Sequence, residues 1–194
     1  MSTQEPGNRA VNLPREIRTA RLLLRRWTAA DHEPFAALNT DPRVIEFLSQ
    51  PLIRAESDAI IERIENHFDE HGFGYWAVEA PGVAAFIGTV GLAVPRFTAH
   101  FTPCIEVGWR LAADYWHRGY ASEAAQAALD FGFNQLELAE IVAFTVPANQ
   151  RSRHVMQRLG MRHDAAGDFE HPFLPEGHWL RRHVLYRKRR EAHE

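Results

Sequence analysis

At 194 residues, 45% hydrophobic and 24% charged, the chain suits one ordinary globular domain with a substantial core, and it has no apolar run long enough to span a bilayer. A formal net charge of −3 speaks against a domain that binds DNA as a whole. The single cysteine, Cys104, excludes an internal disulfide and paired-cysteine zinc spacing, and no metal site is expected among the eleven histidines.

The opening MSTQEPGNRA is polar and lacks the hydrophobic middle of a secretory signal. Residues 1–18 are expected to be flexible, residues 19–190 to form one domain, and the protein to be cytoplasmic. Arg21 to Trp27 (RLLLRRW) has strand character. Thr28 can cap a following helix, with Asp31 and Glu33 in its first turn and Phe35 and Leu38 on its apolar face; the pattern runs out near Asn39 and Asp41-Pro42. Glu56 to His71 is a second helix, since Ile60, Ile61, Ile64 and Phe68 recur at helical spacing, and Gly72 and Gly74 stop it. Tyr75–Glu79, Ala85–Val94 and Ile105–Leu111 read as an antiparallel meander, the first two strands joined at Pro81-Gly82. A small-residue helix follows Gly119, then a buried strand over Ile141–Val146, a helix over Asn149–Leu159, a strand from Met161 and a last strand over Trp179–Tyr186. The order predicts an α/β fold without repeats or a second domain.

Cys104 to Phe133 is the most informative stretch. An apolar run passes through a Gly-centred turn, WHRGYA (116–121), into a helix faced by Ala124, Ala125, Ala127, Ala128 and Leu129. Consecutive N–H groups at such a strand-to-helix corner can converge on a phosphate, aided by the positive end of the helix dipole. Gly119 tolerates backbone geometry that side chains forbid, and Ala121 and Ser122 leave room for a ligand. The plain alternative is a glycine that merely begins an element.

Over Arg21 to about Arg187, the strings TARLLLRRW, FIGTVGL, IEVGWRL followed by YWHRGYASEA, and VPANQRSRHVMQRLGM resemble the GNAT superfamily of acyl-CoA-dependent N-acetyltransferases. The nearest group is the RimJ/RimL type, which acetylates protein N-terminal amines. The superfamily's pyrophosphate motif has Gln or Arg, two variable residues, Gly, one variable residue, then Gly or Ala. Here Trp116 takes the first position and Gly119 and Ala121 the others; a Trp there is familiar in the RimJ/RimL type. The resemblance implies a three-layer fold, a mixed and largely antiparallel sheet of about seven strands flanked by four helices, splayed between the fourth and fifth strands. It implies acetyl-CoA as cosubstrate and no metal. Its pyrophosphate would rest on His117, Arg118, Gly119, Tyr120, Ala121 and Ser122, and its pantetheine arm would pair with the backbone of Trp109, Arg110 and Leu111 like an added strand. The Arg118 side chain either adds a charge near the phosphates or is simply solvated. Asn149 matches the family's Asn at the end of the fifth strand, which reaches pantetheine, although helix capping suits it too. The acceptor is then a protein N-terminus, a ribosomal one included, or a small-molecule amine. Homodimerisation stays open.

The chemistry requires an amine to lose a proton and a thiolate to leave. At pH 7 an α-amine with a pKa near 8 costs about 1.4 kcal/mol to deprotonate and a lysine amine near 10.4 about 4.6 kcal/mol. Glu106 interrupts an apolar strand beside the expected thioester position and is the candidate base; the alternative is a Glu on the solvated side of a strand. Many relatives carry a Tyr acid in the helix after the fifth strand, where this chain has Met156. Ser152 can instead donate to the departing sulfur, or only cap the helix. Cys104 is expected to be a core residue, not a nucleophile. Phe47, Phe97 and Phe101, near Leu48 and His100, are acceptor-cleft candidates, with loop packing as the alternative. RRHVLYRKRR (181–190) reads as a strand followed by a solvated basic tail, which can also touch RNA on a ribosome. An acetyltransferase of protein N-termini is the first reading. A transferase of amino sugars, polyamines or amino acids is the second, and a catalytically silent CoA-binding domain the third.

Overall fold

A computed structural model describes residues 16–48 and 50–191; residues 1–15 of the segment expected to be flexible lie outside them. Among the described residues, nine strands form one sheet: β1 (Ile17–Arg18), β2 (Leu23–Arg25), β3 (Tyr75–Ala80), β4 (Ala84–Ala93), β5 (Glu106–Leu111), β6 (Glu140–Thr145), β7 (Arg162–His163), β8 (Phe169–Glu170) and β9 (Arg182–Arg189). Their order is β1-β2-β3-β4-β5-β6-β9-β7, with β8 also on β9. Every pair is antiparallel except β5 with β6. The count exceeds the expected seven because β1 and β8 are two-residue pairings, too short to show alternation, while the strand expected from Met161 is present only as the two residues of β7. β1 lies in the stretch read as a flexible opening, where Ile17 and Arg18 pair with Leu24 and Leu23.

Among the described residues, five α-helices flank the sheet: α1 (His32–Leu38), α2 (Pro42–Ile45), α3 (Arg54–His71), α4 (Tyr120–Asn134) and α5 (Gln150–Arg158). The extra one is α2. Asp41 caps it by accepting the Arg43 N–H, and Pro42 suits a first helical position, so the Asp41-Pro42 pair read as a stop also starts a turn. Arg25 pulls the entry to α1 onto the sheet through a bidentate pair with the buried Asp31, at 2.8 and 2.9 Å. On the opposite face α4 lies close, because Ala124, Ala125 and Ala128 are buried and Gly132 leaves no β-carbon to meet Ile141 and Leu92.

Cross-strand register sorts the side chains. Gly91 faces both Tyr75 and Gly108, Thr89 faces Arg110 and Ala93 faces Glu106, which places Tyr75, Glu106, Gly108 and Arg110 on one face. Val90, Leu92 and Trp109 share the other face with α4. β5 and β6 meet only where Glu106 is opposite Val142 and the Val142 N–H donates to the Ile105 carbonyl, at 2.9 Å. Beyond that point they part, leaving Val107–Leu111 with β4 on one side and an open edge on the other.

The basic C-terminal run differs from expectation. β9 starts at Arg182, not Trp179, and continues through Arg189. It lies between β6 and β7, with Arg187 paired to Glu140 at 2.6 Å and to Asp164 at 2.7 Å, and Arg189 paired to Glu140 at 3.1 Å. Acidic neighbours from other elements, invisible in a local charge count, turn the run into sheet.

Candidate active site

A cleft of ≈ 720 Å³ opens where β5 and β6 diverge, lined from α1, α2, α3, β5, the 115–122 turn and α5. At its cofactor end, His117 and Gly119 adopt positive φ of 61° and 81°, and α4 begins at Tyr120. The first intrahelical donation across the turn is from the Glu123 N–H to the Gly119 carbonyl. Among the described residues, the N–H groups of His117 to Ser122 have no protein acceptor. Six successive free amides at a helix start, held by two left-handed residues, form a nest of the kind that can hold an anion.

Two side chains shape this corner, and the sequence reading missed both roles. The Trp116 indole N–H donates to the Leu111 carbonyl at 2.8 Å, tying the turn to the end of β5. Trp therefore serves at the motif's first position as a staple, with the Arg151 guanidinium 4.7 Å from its ring centroid. Arg21 reaches across from the start of the domain. Its Nε donates to Glu123 at 2.7 Å, its Nη1 donates to the Arg118 carbonyl at 2.9 Å, and its guanidinium lies over the Tyr120 ring. Only the fold brings Arg21 there, 97 residues from Arg118. The Arg118 side chain is exposed, near Tyr115.

Glu106 sits at the fork itself, half-buried and reached through the cleft. Burial pushes its carboxyl up to about 7, against a 3.0 Å hydrogen bond donated by the Tyr75 hydroxyl. Burial, aided by the Glu106 charge, raises Tyr75 well above its ordinary value and keeps it a donor. A β-carbon at Gly108 would collide with the Tyr75 hydroxyl, so the glycine of GWRL makes this hydrogen bond possible. Burial also pushes the Cys104 thiol up to about 11, with the Glu106 charge acting the same way, which removes its nucleophilic form near neutrality.

Arg110 lines the cleft on the same face. Its Nη1 donates to Asn39 Oδ1 at 2.6 Å, and Asn39, fully buried at the end of α1, donates in turn to Ser57 Oγ. Its side chain therefore leaves the strand on the α1 face, while only its main chain belongs to the edge with Trp109 and Leu111. Asn149 Oδ1 accepts the Ser152 N–H at 3.1 Å and its Nδ2 donates to Thr145 Oγ1, so it caps α5. The Ser152 hydroxyl lines the cleft without a protein partner among the described residues. Met156 is buried.

The far wall is aromatic. Phe97, Phe144, His171 and His183 line it, and burial pulls His171 down to about 4, so it is a neutral ring there. Phe101 is not part of that wall: it packs behind, against Phe97, Phe144 and Phe169. Phe47 does line the cleft, between Arg151 and Trp179. Phe144, His171 and Trp179 were not singled out, because no local pattern links three separate segments.

A family model described as an acetyltransferase (GNAT) domain matches residues 21–162. The chain belongs to the GNAT acetyltransferase family. An uncharacterized N-acetyltransferase, YnaD of Bacillus subtilis, is 30% identical over 165 residues, 83% of this chain and 89% of that protein. The FsC-acetyl coenzyme A-N(2)-transacetylase of Aspergillus fumigatus is 30% identical over 154 residues, 76% of this chain and 65% of that protein. The solved ribosomal-protein-S5-alanine acetyltransferase of Vibrio fischeri superposes with a TM-score of 0.69 at 19% identity, covering 90% of this chain and 96% of the other.

This GNAT enzyme uses acetyl-CoA, which supplies an activated acetyl thioester, and its residues fit that cosubstrate: the free amides of 117–122 suit the diphosphate and the open β5 edge suits an extended arm. Near neutral pH Glu106 is poised between its two protonation states and can take a proton from an amine in the cleft.

Proposed function

We propose that the enzyme acetylates the N-terminal α-amine of a peptide or protein in the cytoplasm, by direct attack within a ternary complex. The observation that carries this reading is the Glu106 carboxyl at about 7. Moving a proton to it from an α-ammonium near 8 costs about 1.4 kcal/mol, and from a lysine ammonium near 10.4 about 4.6 kcal/mol, so the base is matched to the easier donor. Glu106 takes the proton and Tyr75 steadies the carboxylate between turnovers. The Ser152 hydroxyl donates to the departing sulfur, which needs little help because a thiol of pKa near 8.5 leaves readily as thiolate near neutrality. Amides 117–122 hold the diphosphate, Asn149 contacts the pantetheine arm, and Phe47 and Phe97 flank the acceptor. The ribosomal-protein-S5-alanine acetyltransferase that shares the fold is in keeping with a protein acceptor. A cleft of ≈ 720 Å³ also has the size of small-molecule sites, which keeps an amino sugar, polyamine or amino acid as the second reading. Acetyl-CoA turnover with peptides of varied first residue, beside a panel of small amines, separates the two: turnover confined to small amines would overturn the first.

A further inference from the structure

Arg25, Arg26 and Arg187, each partly sheltered, all hold two carboxylates. Arg110 is comparably sheltered and, among the described residues, holds none. Its one side-chain partner is the neutral Asn39, fixed by Ser57. The other cleft arginines differ: Arg63, Arg96, Arg151 and Arg158 are exposed. Glu106 is the one carboxylate lining the cleft among the described residues, and it occupies the same strand face four positions earlier. A sheltered guanidinium without a counter-charge is costly to keep, and its remaining N–H donors are a ready fork for an oxyanion. That oxyanion is separate from the cosubstrate's diphosphate, because Arg110 leaves β5 on the α1 face whereas the amide nest opens α4 on the other.

We infer that Arg110 binds a carboxylate or phosphate carried by the acceptor, and that the acceptor is a peptide with this group within its first few residues. The inference rests on the peptide-amine reading above. Four residues of strand separate Glu106 from Arg110 by about 13 Å between α-carbons, with both side chains on one face of the sheet. An extended peptide advances about 3.3 Å per residue, so an acidic side chain two or three residues beyond the amine reaches Arg110 while the amine stays at Glu106. Burial lowers the Arg110 pKa, which an arriving anion would reverse.

The test is calorimetric binding to the full chain loaded with CoA, using peptides that share a first residue and carry Glu, phosphoserine, Gln or Lys at the third. Wild type should bind the Glu and phosphoserine peptides about tenfold or more tightly than the Gln peptide; the two anionic arms show whether carboxylate or phosphate is preferred. Arg110→Gln should bring the ratio close to one, and Arg110→Lys should keep part of it. Asn39→Asp leaves Arg110 in place but supplies an internal carboxylate, and should also flatten the ratio, which guards against a misfolded Arg110 variant. Equal binding of acidic and neutral peptides by wild type, no peptide binding, or an Arg110→Gln loss confined to CoA affinity would each overturn the inference. The same peptides are assayed for acetyl transfer. Transfer without charge preference sinks only the role of Arg110; an Arg110-dependent preference without transfer sinks only the N-terminal acceptor.

Discussion

The two ends of the cleft are built differently. At the cofactor end one contiguous stretch, His117 to Ser122, presents main-chain amides, and two positive-φ residues hold them in place. At the acceptor end, side chains converge from separate elements: Tyr75 on β3, Glu106 and Arg110 on β5, Asn39 after α1, and aromatic residues from three later segments. A backbone nest tolerates almost any side chain except where φ is positive. A side-chain constellation fails when one member changes. The cofactor end should therefore be robust to substitution and the acceptor end sensitive.

The largest expected effect is at the acceptor end. Glu106→Gln should lower kcat about 100-fold or more at pH 7 and abolish the rise in rate centred near pH 7, measured by steady-state kinetics from pH 6 to 8. The same variant should gain stability at high pH. The folded carboxyl at about 7 lies above its unfolded value, so its contribution is complete below the unfolded pKa and is lost as pH rises through 7. Thermal melts should show Gln above wild type at pH 8 and the gap closing towards pH 4.

One change at the cofactor end should break its tolerance. Gly119 sits at φ 81°, and an added β-carbon would meet Arg21 Nη2 at 3.3 Å, so Gly119→Val should weaken acetyl-CoA binding about tenfold, through strain of about 1–3 kcal/mol. Unchanged affinity would mean that the nest does not carry the diphosphate. A smaller effect is expected from Tyr75→Phe. Loss of its hydrogen bond stabilises the protonated form of Glu106, so the pH–rate midpoint should move up by about half to one unit, with the rate recovering at higher pH. Smallest is Arg21→Ala, which frees the turn from Glu123 and the Arg118 carbonyl and should raise KM for acetyl-CoA about two- to fivefold. If Arg21→Ala exceeded Glu106→Gln in total effect, the contrast between the two ends would be reversed.

The same contrast explains what was legible in the chain. The helix over Arg54–His71 follows from its isoleucine spacing, the β3–β4 turn from Pro81-Gly82, and the phosphate corner from Gly119 before small residues, because each is encoded by neighbours within a few positions. Glu106 was conspicuous as a charge in an apolar strand. Its partner Tyr75, 31 residues away, carried no local signal, and neither did the Asn39–Arg110 bond across 71 residues. Phe101 failed as a cleft residue because loop membership does not say which way a ring points, and the basic run ending in Arg189 looked solvated because its acidic partners Glu140 and Asp164 lie on other elements.

By itself, the sequence determined the order of the main helices and strands, the glycine turn that begins α4, and the one charge that interrupts the apolar strand β5, which is proposed as the base: these depend on periodicity, φ preference and a polar interruption, all short-range properties. Tertiary structure alone decided that Glu106 titrates near 7, that Arg110 lies sheltered without a counter-charge, and that Arg21 clamps the turn. Burial and charge pairing are set by whatever other segments pack alongside, and those contacts exist only once the chain has folded.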